Sequence, residues 1–321
     1  MKDSKILVTG AGGFIGSHLA RELYKQGNFV RVTDIKWDGY LQEQYFSEKI
    51  TLDLKKYENC LEATKGMDYV FNFAANMGGI GFITEVGADV MYDNVLINAY
   101  IAQACVKNKI KRLFFSSSAC VYPTYKQNNP NVEPLKEEDA YPADPDNYYG
   151  WEKLYTEKML EAFKRDYNLE IRIARYHNIY GPEGTFRGGR EKSPAALCKK
   201  VAEAVNPGEI EIWGDGEQTR SYCYIDDCVR GTLMLMESDY DLPLNIGSDR
   251  LVTINQLADM VIKISGKNIT KKYNPDAPQG VRGRNADLTL VKKVLEWENR
   301  VNLEEGLRRT YNWINAQLKN K

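Results

Sequence analysis

Tyr149 and Lys153, in the stretch Tyr149-Gly150-Trp151-Glu152-Lys153, stand four residues apart. On a helix that spacing puts both on one face. An ammonium beside a phenol stabilises the phenolate and lowers its pKa, so the pair predicts a base usable near neutrality. A serine-rich stretch upstream gives the pair its context. Arg112 to Ser116 reads as a buried strand running into Ser117-Ser118-Ala119-Cys120-Val121-Tyr122-Pro123. Cys120 follows Ser118 by two residues on a strand end, so both can face one cleft. A lone cysteine is usually a small core hydrophobe, and Cys60, Cys105, Cys198, Cys223 and Cys228 are read in that way. The two histidines, His18 and His177, stand in helix and strand-to-loop contexts that favour structural roles.

A second group of residues suits a phosphate. Lys5 to Thr9 is a short apolar strand, followed by Gly10-Ala11-Gly12-Gly13-Phe14-Ile15-Gly16. Gly10 allows a sharp exit from the strand, Gly13 lets backbone approach a pyrophosphate, and Gly16 lets the helix pack close. The helix opening at Phe14 and Ile15 offers unbonded N–H groups and a positive dipole end. The next strand, Phe29 to Thr33, ends at Asp34. A carboxylate there accepts hydrogen bonds from ribose hydroxyls and repels a 2′-phosphate, which favours NAD over NADP. Asp53, at the end of a third strand, either bonds an adenine amino group or caps the segment after it.

These residues need a scaffold, and the pattern supplies one. Ile15, Leu19 and Leu23 form an apolar helix stripe between the first two strands. Tyr69 to Phe73, a long helix over Asp89 to Lys107, the strand before Ser116, helix Tyr148 to Tyr167 and strand Ile171 to Arg175 continue the alternation. Strands alternating with helices predict an α/β fold with a doubly wound parallel Rossmann sheet. After Pro182 the elements shorten, and Arg and Lys cluster at 187–192, around Arg220, and in Gly280-Val281-Arg282-Gly283-Arg284-Asn285. Residues 1–182 are therefore expected to be mostly an NAD-binding domain. Residues 183–321 are expected to form a smaller lobe gripping an anionic substrate, with 214–246 a candidate to return to the sheet. Thr253-x-x-Gln256 reads as a capping box.

The chain of 321 residues has 43% hydrophobic and 27% charged residues and a net charge of -1. That fits a globular enzyme and gives no basis for nucleic-acid or anionic-membrane binding. No apolar run is long enough for a bilayer span, and residues 1–20 lack a signal-peptide layout. Six scattered cysteines without a CxxC pair argue for reduced thiols in a cytoplasmic setting, and against a zinc site or disulfide scaffold.

The glycine turn, the Ser118 strand end and the Tyr149/Lys153 pair together resemble the extended short-chain dehydrogenase/reductases that act on nucleotide sugars. The resemblance covers the whole chain. Asn76-Met77-Gly78-Gly79, Ser118 to Pro123, Arg175 to Pro182, Gly188-Gly189-Arg190-Glu191-Lys192, Trp213-Gly214-Asp215-Gly216 and Gly280 to Asn285 are similar to the branch that inverts C3 and C5 of GDP-mannose. Asn76 departs from the aspartate that plant members carry there.

The resemblance implies a reaction. Oxidising C4 to a ketone makes the C3 and C5 protons acidic. Tyr149 would take the C4 hydroxyl proton, Lys153 would hold the phenol's pKa down, and Ser118 would bond the C4 oxygen. Cys120 and Lys192 would be the acid/base pair across the ring, with Lys192 lowered in pKa by partial burial beside Arg187 and Arg190. Substrate contacts are implied at Gly78, Ser118, Ala119, Cys120 and Asn178. Others are implied at Glu191, Lys192, Lys200, Gly216 and Gln218. Arg220 and Arg282 are implied at the diphosphate or ribose. A homodimer and a GDP-sugar partner are implied as well. A C4 epimerase, an epimerase of a related GDP-sugar, and a non-catalytic NAD-binding scaffold stand as alternatives. A 4,6-dehydratase would need a carboxylate pair where this chain has Ala119-Cys120.

Overall fold

A computed structural model describes residues 1–37 and 40–319. The first half runs β1 (Lys5–Thr9), α1 (Phe14–Lys25), β2 (Phe29–Asp34), β3 (Glu48–Thr51), α2 (Tyr57–Thr64), β4 (Tyr69–Asn72), α3 (Ile80–Glu85), α4 (Gly87–Lys107), β5 (Arg112–Ser118), α5 (Tyr148–Tyr167) and β6 (Glu170–Tyr176). The rest runs β7 (Ile179–Tyr180), α6 (Ser193–Glu203), β8 (Gly208–Trp213), β9 (Thr219–Ser221), β10 (Cys223–Tyr224), α7 (Ile225–Glu237), β11 (Pro243–Ile246), β12 (Leu251–Thr253), α8 (Ile254–Ser265), β13 (Ile269–Asn274), β14 (Gly283–Arg284), α9 (Thr289–Leu295) and α10 (Leu303–Lys319). The expected last two residues of α10, 320 and 321, lie outside the described residues.

Seven strands form one sheet in the order β11-β6-β5-β4-β1-β2-β3. Every pairing in it is parallel. Parallel strands need crossovers, which cover both faces, so their side chains are apolar on both sides. β1 shows this: Ile6 and Val8 pack with Leu19, Leu23 and Val32, while Leu7 between them packs with Val70, Ile101 and Leu113 on the opposite face. The strand order reverses about β1, with β2 on one side and β4 on the other. A crevice opens outside the carboxyl ends of the strands at such a point.

The Thr253 capping box forms in both directions, Thr253 Oγ1 accepting from the Gln256 N–H and Gln256 Oε1 from the Thr253 N–H. The expected basic loop at 280–285 is not wholly a loop. Gly283 and Arg284 pair with Thr219 and Arg220 of β9, which turns a flexible stretch into a fixed platform. β13 pairs with β8 from Ile269 to Asn274; the polar Thr-Lys-Lys in its middle hid it from an apolar-pattern reading.

Candidate active site

β5 and α5 meet at one point. Asn147 caps α5, its Oδ1 accepting the Gly150 N–H at 2.9 Å. A Cβ at Gly150 would sit 2.2 Å from the Cys120 carbonyl oxygen and 2.9 Å from the Pro145 Cβ. Only glycine lets the first turn of α5 lie so near the end of β5. That approach brings buried Tyr149 beside Ser118. Ser118 Oγ also accepts the Cys120 N–H at 3.2 Å, which shapes the turn that presents the thiol.

The electrostatics correct one expectation. Lys153 Nζ lies 5.4 Å from the Tyr149 ring centroid, but the phenol is not brought down. Burial pushes Tyr149 well above its ordinary value, and the charge of Glu152 adds to that; a hydrogen bond with Ser118 opposes it. Lys153 is paired with the buried Glu152 at 3.5 Å, so its charge is already answered.

Cys120 has a partner that the sequence reading passed over. Arg284 Nη1 donates to Cys120 Sγ at 3.3 Å, and its Nε donates to Gln127 Oε1 at 2.5 Å. Gln127 is in turn fixed by donating to the carbonyls of Tyr122 and Pro123. Arg284 Nη2 is buried with no hydrogen-bond partner among the described residues, 3.8 Å from Asp146 Oδ1. A guanidinium locked at Nε and Nη1 with its Nη2 amino group left over is suited to a ligand oxygen.

These groups line a cavity of about 580 Å³. Lys192 enters it from the residue before α6. Its side chain stays open to cavity solvent, yet the surrounding wall displaces enough water to lower its pKa; Cys120 and Cys228 oppose this and Arg284 adds to it. The direction matches expectation, but the neighbouring cation is different. Arg187 is turned away to the Gln317 carbonyl. Arg190 lies over the Phe82 ring at 3.7 Å and donates to Asn76 Oδ1 and the Met77 carbonyl. With the Gly79 N–H on the Arg190 carbonyl, Arg190 ties the loop of Lys192 to the Met77–Gly79 turn. Asn76 also donates to Asp93.

Gly78, Ala119, Asn178, Glu191, Lys200, Gln218 and Arg220 line the same cavity; Gly216 and Arg282 are not among its walls. Arg282 is engaged bidentately by Asp215 at 3.0 Å, and Gly216 is a turn packed on Asn255. Burial lowers Arg220 to about 10, with Arg284 contributing. Gln218 keeps a buried Oε1 without a hydrogen-bond partner among the described residues, while its Nε2 donates to the Trp213 carbonyl. Asn178 spends its amide on the Ser221 carbonyl. Burial drives His177 to about 3, leaving it neutral against Asn245.

The glycine turn fits a dinucleotide. Gly10 has φ +65, and a Cβ on it would meet the Phe73 carbonyl carbon at 2.7 Å. A Cβ on Gly16 would sit 2.3 Å from the Gly10 oxygen, and one on Gly12, unremarked in the sequence, 2.0 Å from the Lys36 oxygen. A Cβ on Gly13, at the N-cap of α1, would meet the Gly10 oxygen at 3.3 Å, and the first N–H groups of a helix have no partner within the helix, which suits them to a phosphate. Asp34 Oδ2 accepts the Gly12 N–H at 2.9 Å, which ties the end of β2 to the turn. Asp53 bonds its own segment, accepting from Lys55 N–H and Asn59 Nδ2.

The NAD dependent epimerase/dehydratase family matches residues 6–247. GDP-mannose 3,5-epimerase of Arabidopsis thaliana is 48% identical over 98% of this chain and 83% of its own. Among solved structures, UDP-glucose 4-epimerase of Thermotoga maritima with UDP-glucose superposes with a TM-score of 0.89 at 30% identity, over 98% of this chain and 99% of that one. UDP-glucuronic acid 4-epimerase of Bacillus cereus, in complex with UDP-glucuronic acid and NAD, gives 0.84 at 27% identity, over 98% and 99%.

Proposed function

The chain belongs to the NAD-dependent epimerase/dehydratase family, and from that premise we propose that it epimerises GDP-mannose at C3 and C5. The observation that carries the proposal is the meeting of Ser118, Tyr149, Cys120, Lys192 and Arg284 at one cavity, in a chain 48% identical to a GDP-mannose 3,5-epimerase. NAD, held by the glycine turn and Asp34, supplies reversible oxidation at C4 when bound.

Ser118 and Tyr149 hold the C4 oxygen, and Tyr149 takes its proton. Lys153 lies on the same face of α5 and binds the ribose next to the reacting ring. Once C4 is a ketone, a proton at C3 or C5 leaves as an enolate forms. Cys120 and Lys192, on opposite faces of the sugar, remove and return these protons. Arg284 holds the thiol through Nη1 and offers Nη2 to a sugar oxygen. Arg220 and Gln218 bind toward the nucleotide end, and residues 183–321 make most of that grip, while 1–182 hold the cofactor.

The test is turnover in deuterated water. Deuterium is expected at C3 and C5 of the recovered GDP-sugars, and Tyr149→Phe is expected to abolish it. A C4 epimerase would leave both positions protonated, and that result would sink the proposal.

We propose further that the chain is a homodimer. Tyr92 of α4 and Tyr148, Trp151 and Tyr155 of α5 are exposed on neighbouring helices, an apolar area suited to a second copy. Sedimentation as a monomer at micromolar concentration would count against it. A cytoplasmic setting is supported by six free cysteines; among the described residues no helix is long and apolar enough to cross a membrane. Recovery in an oxidising compartment on cell fractionation would refute that placement.

A further inference from the structure

Glu152 takes no part in the steps above, yet it is a completely buried acid one residue from Lys153. Its Oε1 accepts from Asn94 Nδ2 at 2.9 Å and its Oε2 from Asn98 Nδ2 at 3.4 Å. Lys153 Nζ stands 3.5 Å from it. The ammonium is otherwise faced by the rings of Phe115 and Tyr149, at 4.7 and 5.4 Å. Glu152 is its only ion-pair partner among the described residues. Burying such a pair costs desolvation energy that an apolar pair of equal volume avoids, so packing alone does not explain it.

The acid is also fixed from a distance. Asn98 Oδ1 accepts from Asn72 Nδ2, and Asn72 Oδ1 from the Thr9 hydroxyl. Thr9 Oγ1 accepts the N–H groups of Phe73 and Ala74. An unbroken chain of hydrogen bonds thus joins the strand end before the glycine turn to the Tyr149/Lys153 helix.

We infer that Glu152 is a positioning residue for that pair: it holds the Lys153 ammonium in place and sets the pH at which Tyr149 gives up its proton. The inference rests on Tyr149 being the base at C4. A negative charge beside the phenol opposes its ionisation, and Glu152 is the foremost charge acting on Tyr149 in that direction. From α4, Glu152 meets the neutral amides of Asn94 and Asn98, while Asp93 is engaged by Lys55 and Asn76. From its own helix come Lys153, Tyr149 and the Thr156 hydroxyl. From the end of β5, Cys120 and Ser118 face Tyr149, with Lys192 and Arg284 beyond Cys120.

The experiment is the pH profile of deuterium incorporation by NAD-loaded enzyme at saturating GDP-mannose. In the unsubstituted protein the rate rises with pH as Tyr149 loses its proton. In Glu152→Gln, which keeps the shape and removes the charge, the rise is expected at least about one pH unit lower, the effect of one nearby charge. Glu152→Asp keeps the charge and should keep the profile. Glu152→Met, an uncharged side chain of similar length, should move the rise downward as Glu152→Gln does, and it carries the test if Glu152→Gln does not fold. A rise that stays in place or moves the other way in the folded variant overturns the inference. Tyr149→Phe run alongside separates the two failures: activity in that variant would refute the base at C4, whereas an inactive Tyr149→Phe with an unmoved Glu152→Gln profile refutes only the role of Glu152.

Discussion

Gly150→Ala adds one methyl group, and the structure says where it goes. The new Cβ would lie 2.2 Å from the Cys120 carbonyl oxygen, against ordinary contact beginning at 3.4 Å. That obstacle is backbone, and it carries the turn that presents Cys120, so the first turn of α5 and the end of β5 must part by roughly 1 Å. Overpacking of this kind costs about 1–3 kcal/mol, while alanine in place of helical glycine returns about 0.5–1 kcal/mol. The net loss of stability should therefore be about 1–2 kcal/mol, and the fold should survive. Activity should suffer more, because the same parting moves Tyr149 from Ser118. A misplacement of 1 Å costs roughly a hundredfold, or about 2.7 kcal/mol of barrier. The assay pairs thermal unfolding with turnover of GDP-mannose at saturation. A variant that keeps kcat within about threefold, with its Tm unchanged, would show that the close approach of α5 to β5 does not set the geometry of the site.

Three further outcomes are expected. Cys120→Ala and Lys192→Ala should each still give the near-ultraviolet absorbance of reduced cofactor on mixing with substrate, yet lose epimerisation; near-normal deuterium at both carbons would remove that residue from the acid/base pair. Arg220→Ala should raise KM strongly, since Arg220 lines the cavity, while Arg282→Ala, whose guanidinium is already held by Asp215, should raise it little; equal effects would contradict this division. His177, buried and brought down to about 3, binds a proton in the unfolded chain near pH 6.5 but not in the folded one. Its contribution is therefore fully present above about pH 6.5 and is lost as pH falls toward the folded value, the loss reaching about 2 kcal/mol at pH 5. Urea midpoints at pH 7.5 and 5 should diverge less in His177→Gln than in the parent, and equal divergence would refute the assignment.

Local signals were legible where one short stretch does one thing. The strand, glycine turn and helix around Gly10, the capping box at Thr253 and the α5 helix bearing Tyr149 and Lys153 follow from residue type and spacing alone. The departures arise where distant segments decide the outcome. Arg282 and Arg284 stand two residues apart, but Asp215 captures the first and pairing with β9 delivers the second to Cys120. Arg187 and Arg190 sit near Lys192 in sequence, yet each leaves it for a backbone carbonyl elsewhere. The base-lowering effect expected of Lys153 is countered by Glu152, adjacent in sequence; only packing against α4 shows that this acid is buried and facing inward.

The strand β11 lies at one end of the sheet and, among the described residues, pairs with β6 alone, from Pro243↔Ile173 to Ile246↔Tyr176. As the chain emerges from the ribosome, β6 is complete long before its partner. Through all the intervening synthesis its outer row of backbone groups stands open to any other extended chain. Nascent or truncated forms ending before Pro243 should therefore aggregate, and engage chaperones, far more than forms reaching past Ile246. The seven-stranded sheet is thus completed only after residues 183–242 have been made. Pieces cut at residue 182 and expressed separately should stay soluble only when the missing strand is supplied in trans.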